Sequence, residues 1–147
     1  MDGITLKTIT AADTWTLRQS VLRPHEPIAA LTYPGDSAPD SIHFGLCEPS
    51  GNLIGIASLY LESLPDQSGQ GWRLRGMAVA PHVQGKGLGT KLLDRCRDHI
   101  LGTSGDYLWC NARKSALKFY RNNSFQVISE QFEISGIGPH FVMKREF

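Results

Sequence analysis

The chain has 147 residues and an apolar share of 41%, enough to fill one hydrophobic core but not two, so a single domain over 1–147 is expected. Fifteen Lys and Arg stand against 14 Asp and Glu, so no overall field exists to hold a nucleic-acid backbone or an anionic membrane, and neither is expected as a partner. No window approaches the roughly 18 apolar residues of a membrane span, and the start MDGITLKTIT lacks the positive charge and apolar run of a leader, so a cytoplasmic protein is expected.

In chain order, Ile4–Ile9 alternates apolar and polar residues and predicts a strand. Thr10-Ala11-Ala12-Asp13 then matches a capping box, in which hydroxyl and carboxylate each satisfy a free amide, and a helix to about Leu22 is expected. Between Arg23 and Asp40 stand Pro24, Pro27, Pro34, Pro39 and Gly35, which leave a loop with room for one short helix. Ile42–Cys47 and Leu53–Leu61 flank Pro49-Ser50-Gly51-Asn52 and predict an antiparallel hairpin. After a polar loop over Pro65–Gly71, the run Trp72–Val79 reads as a strand stopped by Pro81. Leu88, Leu92, Leu93, Cys96 and Ile100 recur at helical spacing, with charged residues on the other side. Tyr107–Asn111 predicts another strand, Ser115–Arg121 a short helix, and Phe125–Phe132 and His140–Lys144 the closing strands. The expected order is β α β β β α β α β β, an α+β or mixed α/β sheet with helices packed on it. Cys47, Cys96 and Cys110 are odd in number, with no CxxC or Cys/His ligand spacing, so buried reduced thiols are expected, without disulfide or metal.

One segment carries chemistry. PHVQGKGLG lies between a predicted strand end at Val79 and a predicted helix start at Leu88, with glycines at 85, 87 and 89. Glycine admits unusual φ values and a close approach of backbone to ligand, and a helix N-terminus offers unpaired amides and the positive end of its dipole. Together these suit a phosphate group, with Lys86 and Lys91 adding charge. A Walker A loop requires Ser or Thr after its lysine, where Gly87 stands here, and a Rossmann fingerprint requires a different glycine spacing near the first strand. The remaining bland reading is a glycine-rich turn that only starts a helix.

Met77-Ala78-Val79-Ala80-Pro81, followed by Gln84-Gly85-Lys86-Gly87-Leu88-Gly89 and Thr90-Lys91-Leu92-Leu93, resembles the cofactor-binding motif of the GNAT acetyltransferases. Ala116-Leu117-Lys118-Phe119-Tyr120 followed by Phe125 is similar to that family's second motif, a short helix ending in tyrosine before a Gly-Phe pair. Ser124 stands where the family usually has glycine, and Arg113 where it often has asparagine, with Asn111 two residues earlier. The resemblance implies the GNAT acyl-CoA N-acyltransferase fold, a central, mostly antiparallel sheet with flanking helices. It implies acetyl-CoA as co-substrate, held by Met77, Ala78, Val79, Gln84, Gly85, Lys86, Gly87, Leu88, Gly89, Thr90, Asn111 and Ser115.

The reaction so implied moves an acetyl group to a primary amine of a small molecule or peptide, by direct attack in a ternary complex. It needs a neutral amine, a polarised thioester carbonyl and a proton for the departing thiolate. Amides near Ala78 and Val79 would polarise the carbonyl, and by resemblance Tyr120 is the general acid. Deprotonating a lysine-like amine at pH 7 costs about 4.6 kcal/mol, so a base is expected, with His43, Glu62 and His140 as alternative candidates. Arg23, His25, Glu26 and Tyr33 of the proline-rich loop, with the turn Gly136–His140, are candidates for reading the acceptor. The run Ile137–Met143 resembles the tail of several small bacterial GNAT proteins. A catalytically silent acyl-CoA sensor is the competing function, and a homodimer through edge strands is the expectation from analogy of architecture.

Overall fold

The computed structural model describes residues 3–147; Met1 and Asp2, which open the segment read above for a leader, lie outside the described residues. β1 (Thr5–Ile9) leads into the capping box, in which Thr10 N–H donates to Asp13 Oδ2 at 2.9 Å and Asp13 N–H donates to Thr10 Oγ1 at 3.2 Å. The helix it starts changes pitch twice, through a tight turn Ala12–Thr14, α1 (Trp15–Leu17) and a wide turn Arg18–Leu22. In the wide turn Arg23 N–H reaches back five residues to Arg18 O at 3.0 Å, which loosens the helix at Arg18. The proline-rich loop contributes one short turn of helix, Ile28–Leu31, of which Leu31 is buried.

The chain forms two compact units, one of Met1–Tyr60 with Leu74–Cys96, the other of Leu61–Arg73 with Arg97–Phe147. In the first, the strand order is β1, β2 (Ile42–Cys47), β3 (Leu53–Leu61) and β4 (Gly71–Val79), with β1·β2 and β2·β3 antiparallel as the predicted hairpin requires. Its core holds Phe44, Leu46, Ile54, Ile56 and Leu59 with Leu92, Leu93 and Cys96 of α2 (Leu88–Gly102), each 0–1% exposed. The helical stripe predicted from spacing is therefore the buried one, each leucine contributing about 2 kcal/mol by leaving water.

In the second unit the order is β4, β5 (Tyr107–Arg113), β8 (Gly138–Glu146) and β6 (Gln126–Val127), with β7 (Phe132–Ile134) also on β8. β5 runs parallel to β4 at Gly71–Arg73, and β8 is antiparallel to β5, β6 and β7. The sheet is mixed and mostly antiparallel, as expected. α3 (Leu117–Asn122), entered by the turn Lys114–Ala116, precedes β6.

Two expectations need correction. Phe125–Phe132 is not one strand: pairing stops after Val127, because Val142 N–H donates to the Ser129 hydroxyl at 2.8 Å in place of a main-chain carbonyl, and resumes at Phe132. The run thus makes two strands and adds one element to the predicted order. Gly138, Pro139 and His140 are not turn residues but the start of β8, paired with Ile134, Glu133 and Phe132.

Candidate active site

The glycine segment sits where its spacing placed it, after β4 and at the head of α2. The tight turn Pro81–Val83 follows β4, and Gln84 Nε2 donates to Val79 O at 2.9 Å, tying the crest back to the strand end. Gly85 and Gly87 take φ of 77° and 79°, the left-handed region in which a side chain is strained. No atom lies within 4 Å of where a Cβ on either would stand, so φ alone demands glycine there. The first helical hydrogen bond runs from Lys91 N–H to Gly87 O at 3.2 Å, which leaves the amides of Leu88, Gly89 and Thr90 ahead of the helix ladder. Gln84, Gly85, Lys86 and Gly87 are exposed. An anion at this crest meets main-chain donors and the positive end of the α2 dipole.

Ahead of the crest, Met77, Ala78 and Val79 close β4, and Gly76 before them is left-handed at φ 61°. A left-handed residue inside a strand breaks the ladder and re-aims the amides that follow.

The second unit holds Asn111, Ser115, Tyr120, Glu62 and His140. Tyr120 is 8% exposed, its ring edge-on to Phe119 at 5.1 Å and to Phe125 at 5.2 Å. Its hydroxyl hydrogen-bonds the sulfur of Cys110, a thiol that burial pushes up to about 12 against that bond. Cys110 is therefore neutral, and a partner the sequence reading did not name. Asn111 and Arg113 stand opposite Val142 and His140, so these four side chains share one face of the β5–β8 pair, while Cys110, opposite Met143, points to the other. Tyr120 and His140 accordingly approach β5 from opposite faces.

The three base candidates differ in what their lone pairs already do. His43 is 4% exposed with both nitrogens used: Nε2 lies 3.0 Å from the Asp36 carbonyl, which can only accept, and Nδ1 lies 2.6 Å from Ser58 Oγ. In the neutral ring Nε2 therefore carries the hydrogen and Nδ1 accepts from Ser58. Glu62 is half exposed, paired with Arg73 at 3.3 Å, and stands beside Gly71 at the opposite end of β4 from Met77–Val79. His140 is 4% exposed and its Nδ1 lies 2.7 Å from Gly138 O, which fixes the hydrogen on Nδ1 and leaves the Nε2 lone pair to accept.

Sequence reasoning missed a buried polar cluster in the first unit. Arg18, 0% exposed, grips both oxygens of Asp36 at 2.8 and 3.1 Å and also donates to Leu31 O, Ser58 Oγ and the Tyr60 hydroxyl. The Tyr60 hydroxyl in turn donates to Asp36 Oδ1, and Tyr33 N–H donates to Asp36 Oδ2 at 2.9 Å. Burial works against the charge on Asp36, but the Arg18 guanidinium with those two donors holds its carboxyl below the usual range. Burial and the bond to Asp36 push the Tyr60 phenol up. Only Arg18 Nε lacks a partner, a buried donor whose desolvation costs about 1–3 kcal/mol. A guanidinium on a helix otherwise reads as solvated, and nothing in the local spacing marks this one.

Among the described residues, no helix is long and apolar enough to cross a membrane, and no group of His, Cys, Asp and Glu could hold a metal ion. Residues 9–125 match the acetyltransferase (GNAT) family. The chain is 37% identical over 140 residues to the uncharacterized N-acetyltransferase YitI of Bacillus subtilis strain 168, covering 94% of this chain and 93% of that protein. In fold it is similar to Escherichia coli ElaA, with a TM-score of 0.78 at 19% identity over 97% of this chain and 99% of that one. It is also similar to a GNAT family acetyltransferase from Elizabethkingia anophelis solved with acetyl-CoA bound, with a TM-score of 0.70 at 18% identity over the whole of both chains. With the glycine crest, the left-handed break in β4 and these matches together, the chain belongs to the acetyltransferase (GNAT) family and is an acetyl-CoA-dependent acyltransferase.

Proposed function

We propose that the chain acts in the cytoplasm as one domain and transfers the acetyl group of acetyl-CoA directly to a primary amine of a small molecule or peptide, with both substrates bound at once. The placement of Tyr120 and His140 on opposite faces of the β5–β8 pair carries this reading. Direct attack requires that a proton leave the incoming nitrogen while another reaches the departing sulfur, and two groups on two faces serve the two atoms separately. The crest Gln84–Thr90 holds the cofactor's pyrophosphate through main-chain amides, with Lys86 contributing charge, and Met77, Ala78 and Val79 align and polarise the thioester. Asn111 and Ser115 complete the hold on the cofactor.

In this mechanism His140 Nε2 accepts the amine proton, directly or through one water, and the freed lone pair attacks the thioester carbon. The C–S bond breaks as Tyr120 gives its proton to the thiolate, and the products are the N-acetyl amine and CoA thiol. His43, with both nitrogens engaged, and Glu62, at the far end of β4, hold structure rather than move protons.

Tyr120→Phe keeps the aromatic packing and removes only the proton, so it should lower kcat by about 10²–10⁴ while calorimetry gives unchanged acetyl-CoA affinity. His140→Gln should do the same. Full turnover in both variants, measured as released thiol with a pool of alkyl, arylalkyl and peptide amines, would remove both residues from the mechanism.

A further inference from the structure

The ring of Tyr33 has a guanidinium over each face. Arg18 Cζ lies 4.1 Å and Arg75 Cζ 4.2 Å from its centroid, and two groups that close to one ring centre cannot share a face. The inner cation, Arg18, is anchored from all sides by Asp36, Leu31 O, Ser58 and Tyr60. The outer cation belongs to β4, one residue before the left-handed Gly76. The contact continues into the backbone. A Cβ on Gly76 would stand 3.0 Å from Tyr33 Cε2 and 3.2 Å from Arg18 Nε, so ring and guanidinium close over the bend.

We propose that Tyr33 is a positioning residue for acyl transfer: clamped between Arg18 and Arg75, it locks the left-handed bend at Gly76 and so aims the amides of Met77–Val79 that polarise the thioester. A left-handed residue inside a strand has no ladder to define it and keeps one geometry only when its surroundings over-determine it. The ring stack supplies that constraint from the loop side. It also explains why a buried ion pair, weak evidence for stability in itself, is built beneath an otherwise half-exposed loop. Asp36 fixes Arg18, Arg18 fixes the ring, and the ring with Arg75 fixes the strand. The unpaired Arg18 Nε fits the same order of priorities, since the guanidinium is oriented for the stack and for Asp36 before its last donor.

This inference rests on the acetyl-CoA reading above, and a measurement on the thioester separates the two. Acetyl-CoA labelled with ¹³C at the carbonyl is bound to the wild-type chain, and its carbonyl stretch is followed by difference infrared spectroscopy. The wild type should show a stretch shifted to lower frequency than in free acetyl-CoA. Tyr33→Leu should lose most of that shift and release thiol about 10²-fold more slowly, the scale expected when reacting groups are misplaced by about 1 Å, at unchanged acetyl-CoA affinity. Tyr33→Phe, which keeps both ring faces, should retain shift and rate. If Tyr33→Leu does not fold, Arg75→Leu removes the outer half of the stack and should show the same lost shift. A full shift in Tyr33→Leu or Arg75→Leu overturns the proposal and leaves the stack a loop anchor. A wild-type chain that does not bind labelled acetyl-CoA overturns the cofactor reading and this inference with it.

Discussion

The crest Gln84–Gly87 and the cluster around Arg18 belong to the same compact unit and use polar groups in opposite ways. At the crest the side chains are exposed, the main chain faces out, and two left-handed glycines leave room above it. Around Arg18 the side chains are buried and satisfy one another, so their donors and acceptors are closed to any ligand. One region is shaped to receive a charge and the other to hold a shape. The crest should therefore govern affinity with little effect on folding, and the cluster folding and alignment with little effect on affinity.

The largest effect is expected from breaking the cluster. Arg18→Leu leaves Asp36 buried without its guanidinium, and losing one member of a buried pair costs about 3–5 kcal/mol. Chemical denaturation should show that loss, and a loss below about 1 kcal/mol would mean that Asp36 finds water in the variant. Acid provides a second way in. The Asp36 carboxyl is held below its ordinary value in the fold, so the stability it contributes is complete above the unfolded value near 3.9 and disappears as pH falls through the folded one. Asp36→Asn should flatten that acid limb. What remains should belong to Asp13, whose carboxyl is lowered by the Thr10 amide and hydroxyl at the exposed capping box.

Gly87→Ala tests the other side. No neighbour obstructs the new methyl, so the effect is that of φ alone, about 1–2 kcal/mol for a left-handed alanine. If the crest relaxes to another shape when empty, that cost reappears as a 5–30-fold weaker acetyl-CoA affinity. An affinity that holds while stability falls would show that the main chain at 87 takes no part in binding.

The same contrast explains what could be read from the sequence. A main-chain site must place glycines where φ demands them, and that demand is local, so Gly85, Gly87 and the helix they start were legible in nine consecutive residues. A side-chain cluster leaves no such mark: Arg18 finds its partners 18, 40 and 42 residues away, and none is unusual in its own neighbourhood. The Cys110 partner of Tyr120 was hidden for the same reason, since β5 and α3 had first to be packed together. Phe125–Phe132 failed differently. Its apolar residues fit one strand, but Ser129 puts its hydroxyl where the ladder needs a carbonyl. His140 was legible as a titratable residue near a turn, but not as the start of a strand with its tautomer fixed by Gly138 O.

Ser124 offers the smallest effect and joins the two kinds of region. α3 ends with Ser124 N–H bonded to Arg121 O at 3.1 Å and Phe125 N–H to Tyr120 O at 3.0 Å, the paired closure that places one left-handed residue after a helix. That residue is Ser124 at φ 71°, where the family usually has glycine. Left-handed serine costs about 1–2 kcal/mol, whereas glycine adds back about 0.5–1 kcal/mol of unfolded-chain entropy, so Ser124→Gly should stabilise by about 0.5 kcal/mol. At this chain length that raises Tm by about 1–2 °C. Because Tyr120 accepts the Phe125 amide in this closure, turnover provides the sharper reading. An unchanged kcat with a higher Tm makes the serine a tolerated strain. A lower kcat would make the strained closure part of how the Tyr120 hydroxyl is held.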